Sequence, residues 1–304
     1  MLNQDYSLCC AILTVAMAGC SLLPTRHTGC SNDRPCPSGQ YCNPATAICE
    51  SAEPQPDLSV IADLTELPDL SSPPDLTVPP PGMMYVPGGT FLMGSNTAGK
   101  PEEGPIHPQT VSPFYVDITL VTASAYLQCV SLAKCSIPQT GGTCTYGISG
   151  KENHPINCAD WNQSGQYCAA NGKRLLSEIE FEYITRGSSS AEYSWGNAAP
   201  SNQLCWNSIN TCAVDSFPRT VFGMPTSFGL SDLAGNVSEW TSSQFCDYPL
   251  TATGGVNCQA GQVALRSSTH SRTLASDVRA AIRSSQGMGT NSYDIGFRCA
   301  KSIN

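Results

Sequence analysis

The chain has 304 residues, room for one large domain with small appendages, and 40% of it is hydrophobic, ample for a core. Only 13% is charged, the net charge is −9, and no cluster of Lys or Arg occurs anywhere. Phosphate backbones and anionic bilayers are bound by neutralising cations, so nucleic acid and basic membrane attachment are both excluded as expectations. Seventeen cysteines, none in a CxxC pair, suit disulfides better than zinc and point to an oxidising compartment.

At the N-terminus an apolar run from Leu8 to Ala18 ends in Met17-Ala18-Gly19-Cys20. It is too short for a permanent membrane-crossing helix and resembles a bacterial lipoprotein signal. The resemblance implies a signal peptide over 1–19 and acylation of Cys20. It also implies export to the periplasm or cell surface, with anchoring to the outer membrane through lipid alone. The leader departs from that pattern in carrying Asp5 and no Lys or Arg before the apolar run. Residues 20–50 hold Cys30, Cys36, Cys42 and Cys49 among Gly, Pro and Asn. So short a segment cannot bury a core, and two disulfides of open connectivity are expected to hold a small knob. In 51–82 Pro-Asp-Leu recurs at 56, 68 and 74. Proline density without periodicity predicts a disordered, semi-rigid, acidic linker.

The folded domain is expected over 83–304. Met84 to Gly94 reads as two short strands around a Pro-Gly turn, and Phe114-Tyr115-Val116-Asp117 as another strand. Thr122 is placed to cap a helix with Tyr126, Cys129, Val130 and Ala133 on one face. A second helix is predicted from Asp160 to Ala170, stopped by Asn171-Gly172. A third opens with the capping box Ser177-x-x-Glu180 and ends at Gly187, with Ile179, Tyr183 and Ile184 as its buried stripe. The expected fold is α+β and irregular, with short strands, about three helices and several disulfides.

Several blocks then recur in a telling order. Met83 to Ser95 opens the domain, followed by Pro105-Ile106-His107 and by His154-Pro155-Ile156. Next come GKRLLSEIEFEYITRG at Gly172 to Gly187, Tyr193-Ser194-Trp195-Gly196, FGLSDLAGNVSEW at Phe228 to Trp240, and GFRC at Gly296 to Cys299. Together they resemble the formylglycine-generating enzyme, or sulfatase-modifying factor, family. The resemblance implies a C-type-lectin-like domain stabilised by disulfides and calcium. It implies main-chain oxygens of Ala234, Gly235 and Val237 and the side chain of Glu239 as calcium ligands, a mixture that a hard cation prefers. It also implies a Cys168–Cys299 pair. From the residues themselves, Cys205 with Cys212 and Cys246 with Cys258 are candidates for local loops, while Cys129, Cys135, Cys144 and Cys158 stay unassigned. His107, His154, Trp195 and Trp240 read as structural.

Members of that family oxidise a substrate cysteine with copper(I) held by two thiolates, which lie between an RGGS-like turn and an R-x-A-x-R-like strand. Here the corresponding interval, Arg266 to Arg283, contains no cysteine, and His270 alone cannot make a two-thiolate site. Copper is therefore not expected. Ser268, His270 and Asp277 lack the nucleophile-elbow context of a hydrolase. The reading is a binding or structural module for a peptide, protein or glycan, using an old cleft lined by Arg266, Ser268, His270 and Arg272. The alternative is an active oxidase that works by a variant mechanism.

Overall fold

The computed structural model describes residues 36, 40–43, 48–51, 79–96, 100–220, 229–251 and 254–303. The expected signal segment, Cys20, Cys30 and most of the linker lie outside them. Contacts divide the chain into two units, Met1–Pro73 and Pro74–Asn304. In the first, β1 (Gln40–Asn43) and β2 (Ile48–Ser51) pair antiparallel, Cys36 is bonded to Cys49, and Cys42 is also disulfide-bonded.

The second unit opens with β3 (Met83–Val86) and β4 (Gly89–Met93), followed by β5 (His107–Val111) and β6 (Phe114–Asp117). In the β4–β5 hairpin, Phe91 and Met93 alternate inward against His107, Gln109 and Val111, as a strand with one covered face requires. All four residues of β6 are buried, because β6 lies inside its sheet. Helix α1 (Ala123–Ser131) is capped by the Thr122 hydroxyl. Helix α2 (Trp161–Ala170) starts with a capping box from Asp160 and Gln163, and α3 (Glu178–Arg186) with one from Ser177 and Glu180. Between them lies β7 (Arg174–Leu175). The remaining strands are β8 (Ser238–Gln244), β9 (Asp247–Thr251), β10 (Gly254–Val256), β11 (Gln262–Arg266), β12 (Arg283–Gly287), β13 (Ile295–Gly296) and β14 (Cys299–Ser302). Two four-stranded sheets result, ordered β3-β6-β14-β7 and β12-β11-β8-β13.

One core gathers Phe91, Phe114, Phe181, Tyr183 and Tyr248 around α3. A second gathers Tyr126, Ile156, Trp240, Leu265 and Phe297 beneath α1 and α2. Full burial of a phenylalanine such as Phe114 or Phe297 contributes about 1.5–3 kcal/mol. Disulfides Cys129–Cys135, Cys144–Cys158, Cys205–Cys212 and Cys246–Cys258 close loops, and Cys168–Cys299 joins α2 to β14.

Two details of the sequence reading are corrected. Ala133 is exposed at φ 56°, beyond the end of α1, so the apolar face of that helix stops at Val130. Of the expected stripe on α3, Tyr183 and Ile184 are buried and Ile179 is partly buried, and the buried side is wider than these three. It also includes Phe181 and the charged Glu178, Glu182 and Arg186, which periodicity assigns to solvent. The two glutamates have partners from far along the chain. Arg266 Nη2 donates to Glu182 Oε2 at 2.8 Å, and Arg283 donates to both Glu178 oxygens at 2.6 and 2.8 Å. Arg186 Nη1 donates to Glu182 Oε1 at 2.8 Å. Burial would raise the Glu182 pKa, but Arg266 and Arg186 outweigh it and hold the carboxyl below its ordinary value. Tyr248, in the same cluster, is pushed well above the usual phenol value, chiefly by burial and then by Glu178 and Glu182.

Candidate functional site

The turn before β8 organises the site. Gly235 has φ 76°, a conformation that favours glycine, and an added Cβ there meets the Cys205 carbonyl oxygen. Asn236 follows at φ 60° and is fully buried. Its main-chain N–H donates to Cys205 O at 2.8 Å. Its side chain accepts from Cys212 N at 3.2 Å and donates to Cys212 O at 3.2 Å. The Asn236 carbonyl accepts from both the main-chain N–H and the ring Nδ1 of His270, each at 2.8 Å. One asparagine thus ties the Cys205–Cys212 loop to His270.

His270 lines a pocket of about 150 Å³. One wall is the 142–145 loop, stapled by Cys144–Cys158, and another is the Cys205–Cys212 loop. Asn157 locks the floor: Oδ1 accepts from Thr145 N at 2.7 Å, while Nδ2 donates to Tyr293 O at 2.6 Å and Thr143 O at 3.2 Å. Because Nδ1 of His270 donates to a carbonyl, Nε2 is the ring nitrogen left for the pocket. Lys151 is the one Lys, Arg, Asp or Glu in the lining. His154 stands behind the wall with Nδ1 2.9 Å from Thr211 Oγ1, and its pKa is lowered by burial and then by the Lys151 charge.

Of the four residues expected to line a cleft, only His270 lines this pocket. Arg266 is fully buried in the ionic cluster, because β11 pairs on both edges and turns that side chain toward α3. Ser268 is 4% exposed and its hydroxyl has no hydrogen-bond partner, so no serine–histidine pair forms with His270. Arg272 is exposed outside the pocket lining. Lys151, Asn157, Ile209 and Tyr293 escaped sequence reading, since they lie on loops whose convergence has no local signature.

Glu239 is buried and accepts from Arg298 through both oxygens, from Nε at 2.9 Å and Nη2 at 2.8 Å among others. The carboxylate expected to bind calcium with the main-chain oxygens of Ala234, Gly235 and Val237 is therefore engaged by a guanidinium. Among the described residues no group of three or more His, Cys, Asp or Glu side chains converges for a metal. Every cysteine from Cys129 to Cys299 is bonded to another cysteine. His107 is buried between Pro105 O and Leu250 N, and Trp240 donates to Ala159 O in the core. Trp195 stacks on Tyr193 with centroids 5.0 Å apart.

Irregular loops, short sheets and disulfide staples define a C-type-lectin-like domain. Residues 70–303 match the sulfatase-modifying factor enzyme 1-like domain, and the chain belongs to that family. It is 29% identical to the mouse inactive C-alpha-formylglycine-generating enzyme 2 over 264 residues, covering 70% of this chain and 83% of that one. It is 28% identical to the formylglycine-generating enzyme of Mycobacterium tuberculosis, covering 69% and 94%. Among solved structures, PvdO from Pseudomonas aeruginosa superposes with a TM-score of 0.60 at 25% identity, over 73% of this chain and 94% of that one.

Proposed function

We propose that this chain is a non-catalytic family member, exported and anchored through acylated Cys20, whose domain binds a peptide, protein or glycan ligand. One observation carries this reading. The interval from Arg266 to Arg283 contains no cysteine, and every cysteine elsewhere in the domain is consumed in a disulfide. Copper(I) chemistry of the family's kind needs a pair of thiolates, and none is free among the cysteines from Cys129 to Cys299. The mouse relative named as inactive is consistent with such loss, while the mycobacterial relative named as an enzyme keeps the opposite outcome in view.

Purified protein loaded with copper(I), then incubated in air with a cysteine-containing peptide, is expected to yield no aldehyde by mass spectrometry. Peptide oxidation above a metal-free control defeats the proposal and favours the variant oxidase. Radiolabelled palmitate is expected to label the wild type and not Cys20→Ala; label retained in the variant removes the anchor from the reading.

A further inference from the structure

Resting on the binding-module reading, we propose that the pocket beside His270 takes the C-terminal carboxylate of a peptide ending in an aliphatic residue. The first argument is charge. No Asp or Glu lines the pocket, and Lys151, which does, forms no ion pair among the described residues. In a chain of net charge −9, an ammonium left unpaired beside a concave site selects an anion. Asn210 and Tyr293, which also line the pocket, are uncharged residues that carry polar groups.

The second argument is the rim. Ile148 is 44% exposed and Ile209 is 92% exposed, both on the pocket lining. Ile209 stands on a loop closed by Cys205–Cys212 and tied to Asn236, so it is displayed on a braced support. Side chains this apolar gain when a ligand covers them, and an aliphatic group next to the carboxylate does so. The third argument is size. At about 150 Å³ the pocket falls below the range of roughly 300–1,000 Å³ that holds drug-sized ligands. It has room for the end of a chain rather than for a strand passing through.

The test uses the full exported chain with disulfides intact and isothermal titration. The probes are the heptapeptide Gly-Ser-Gly-Ser-Ala-Ala-Leu as the free acid, the same peptide as its C-terminal amide, an amidated version with an internal Glu, and N-acetyl-leucine. The free-acid peptide is expected to bind at least tenfold more tightly than either amide, and Lys151→Gln to lose about tenfold with no change in melting temperature. Ile209→Ser is expected to weaken the leucine peptide more than one ending in glycine. Equal binding of acid and amide, an unchanged Lys151→Gln, or no binding of any probe at millimolar concentration overturns the assignment. N-acetyl-leucine binding as tightly as the peptide overturns the peptide source. These outcomes are separate from the aldehyde assay: aldehyde formation defeats the module reading, whereas failed carboxylate binding without aldehyde defeats only the pocket assignment.

Discussion

Arg298 lies along the carboxylate of Glu239, with Nη2 2.8 Å from Oε1 and Nε 2.9 Å from Oε2, both side chains buried. The same guanidinium donates to Ser231 O at 2.9 Å and Asp232 O at 3.1 Å. It thereby joins the GFRC block to the turn that carries Asn236. Removing one member leaves a buried charge without its partner, so Arg298→Ala is expected to lose about 3–5 kcal/mol in denaturant unfolding. Because Glu239 is already paired, millimolar calcium is expected to leave the wild-type melting temperature unchanged. A calcium-dependent rise that Glu239→Ala abolishes would show that the ion displaces Arg298.

Glu182 makes acid stability measurable. Its folded-state pKa lies below the ordinary 4.5, so its contribution is complete above pH 4.5 and is lost as pH falls through the depressed value. Glu182→Gln is expected to cost about 3–5 kcal/mol near pH 7. The gap between variant and wild type should narrow below pH 4.5 in parallel unfolding curves. A gap that stays constant with pH removes ionised Glu182 from the account.

Cys168 and Cys299 are 131 residues apart, and their bond closes the longest of the disulfide loops among the described residues. Closing a loop of that length restricts the unfolded chain, and losing such a bond costs about 2–5 kcal/mol. The Cys168→Ala/Cys299→Ala double variant should show that loss by chemical denaturation. Cys129→Ala/Cys135→Ala, across a separation of 6, should lose less.

Asn236→Ala strips partners from the Cys212 N–H and C=O. Each polar group left unsatisfied costs about 1–3 kcal/mol, and alanine tolerates the left-handed backbone at φ 60° less well than asparagine. The variant should be destabilised, with faster amide hydrogen exchange over 205–212 than over α2. Exchange unchanged in that loop argues against Asn236 as its tie to His270.

Much of the frame was legible locally. Ser177 with Glu180 announces the start of α3, and Asp160 and Thr122 announce α2 and α1, because a cap is chemistry between neighbours. The charged residues of α3 were not. Glu178 and Glu182 look like a solvent face until Arg266 and Arg283 arrive from strands 84 to 105 residues later. The same applies to Arg266 itself, expected in a cleft and found in the core.

Residue identity and local order were enough to give the abundance of cysteines, the capped helices, the blocks that resemble the family and the missing cysteines of the Arg266–Arg283 interval. These follow from residue identity and short-range order. Which polar residues turn inward, and which loops close around His270, followed from long-range pairing. Lys151, Ile209 and Tyr293 share a pocket because two disulfides and Asn157 draw their loops together. Such convergence depends on three-dimensional closure, and neither helical nor strand periodicity encodes it.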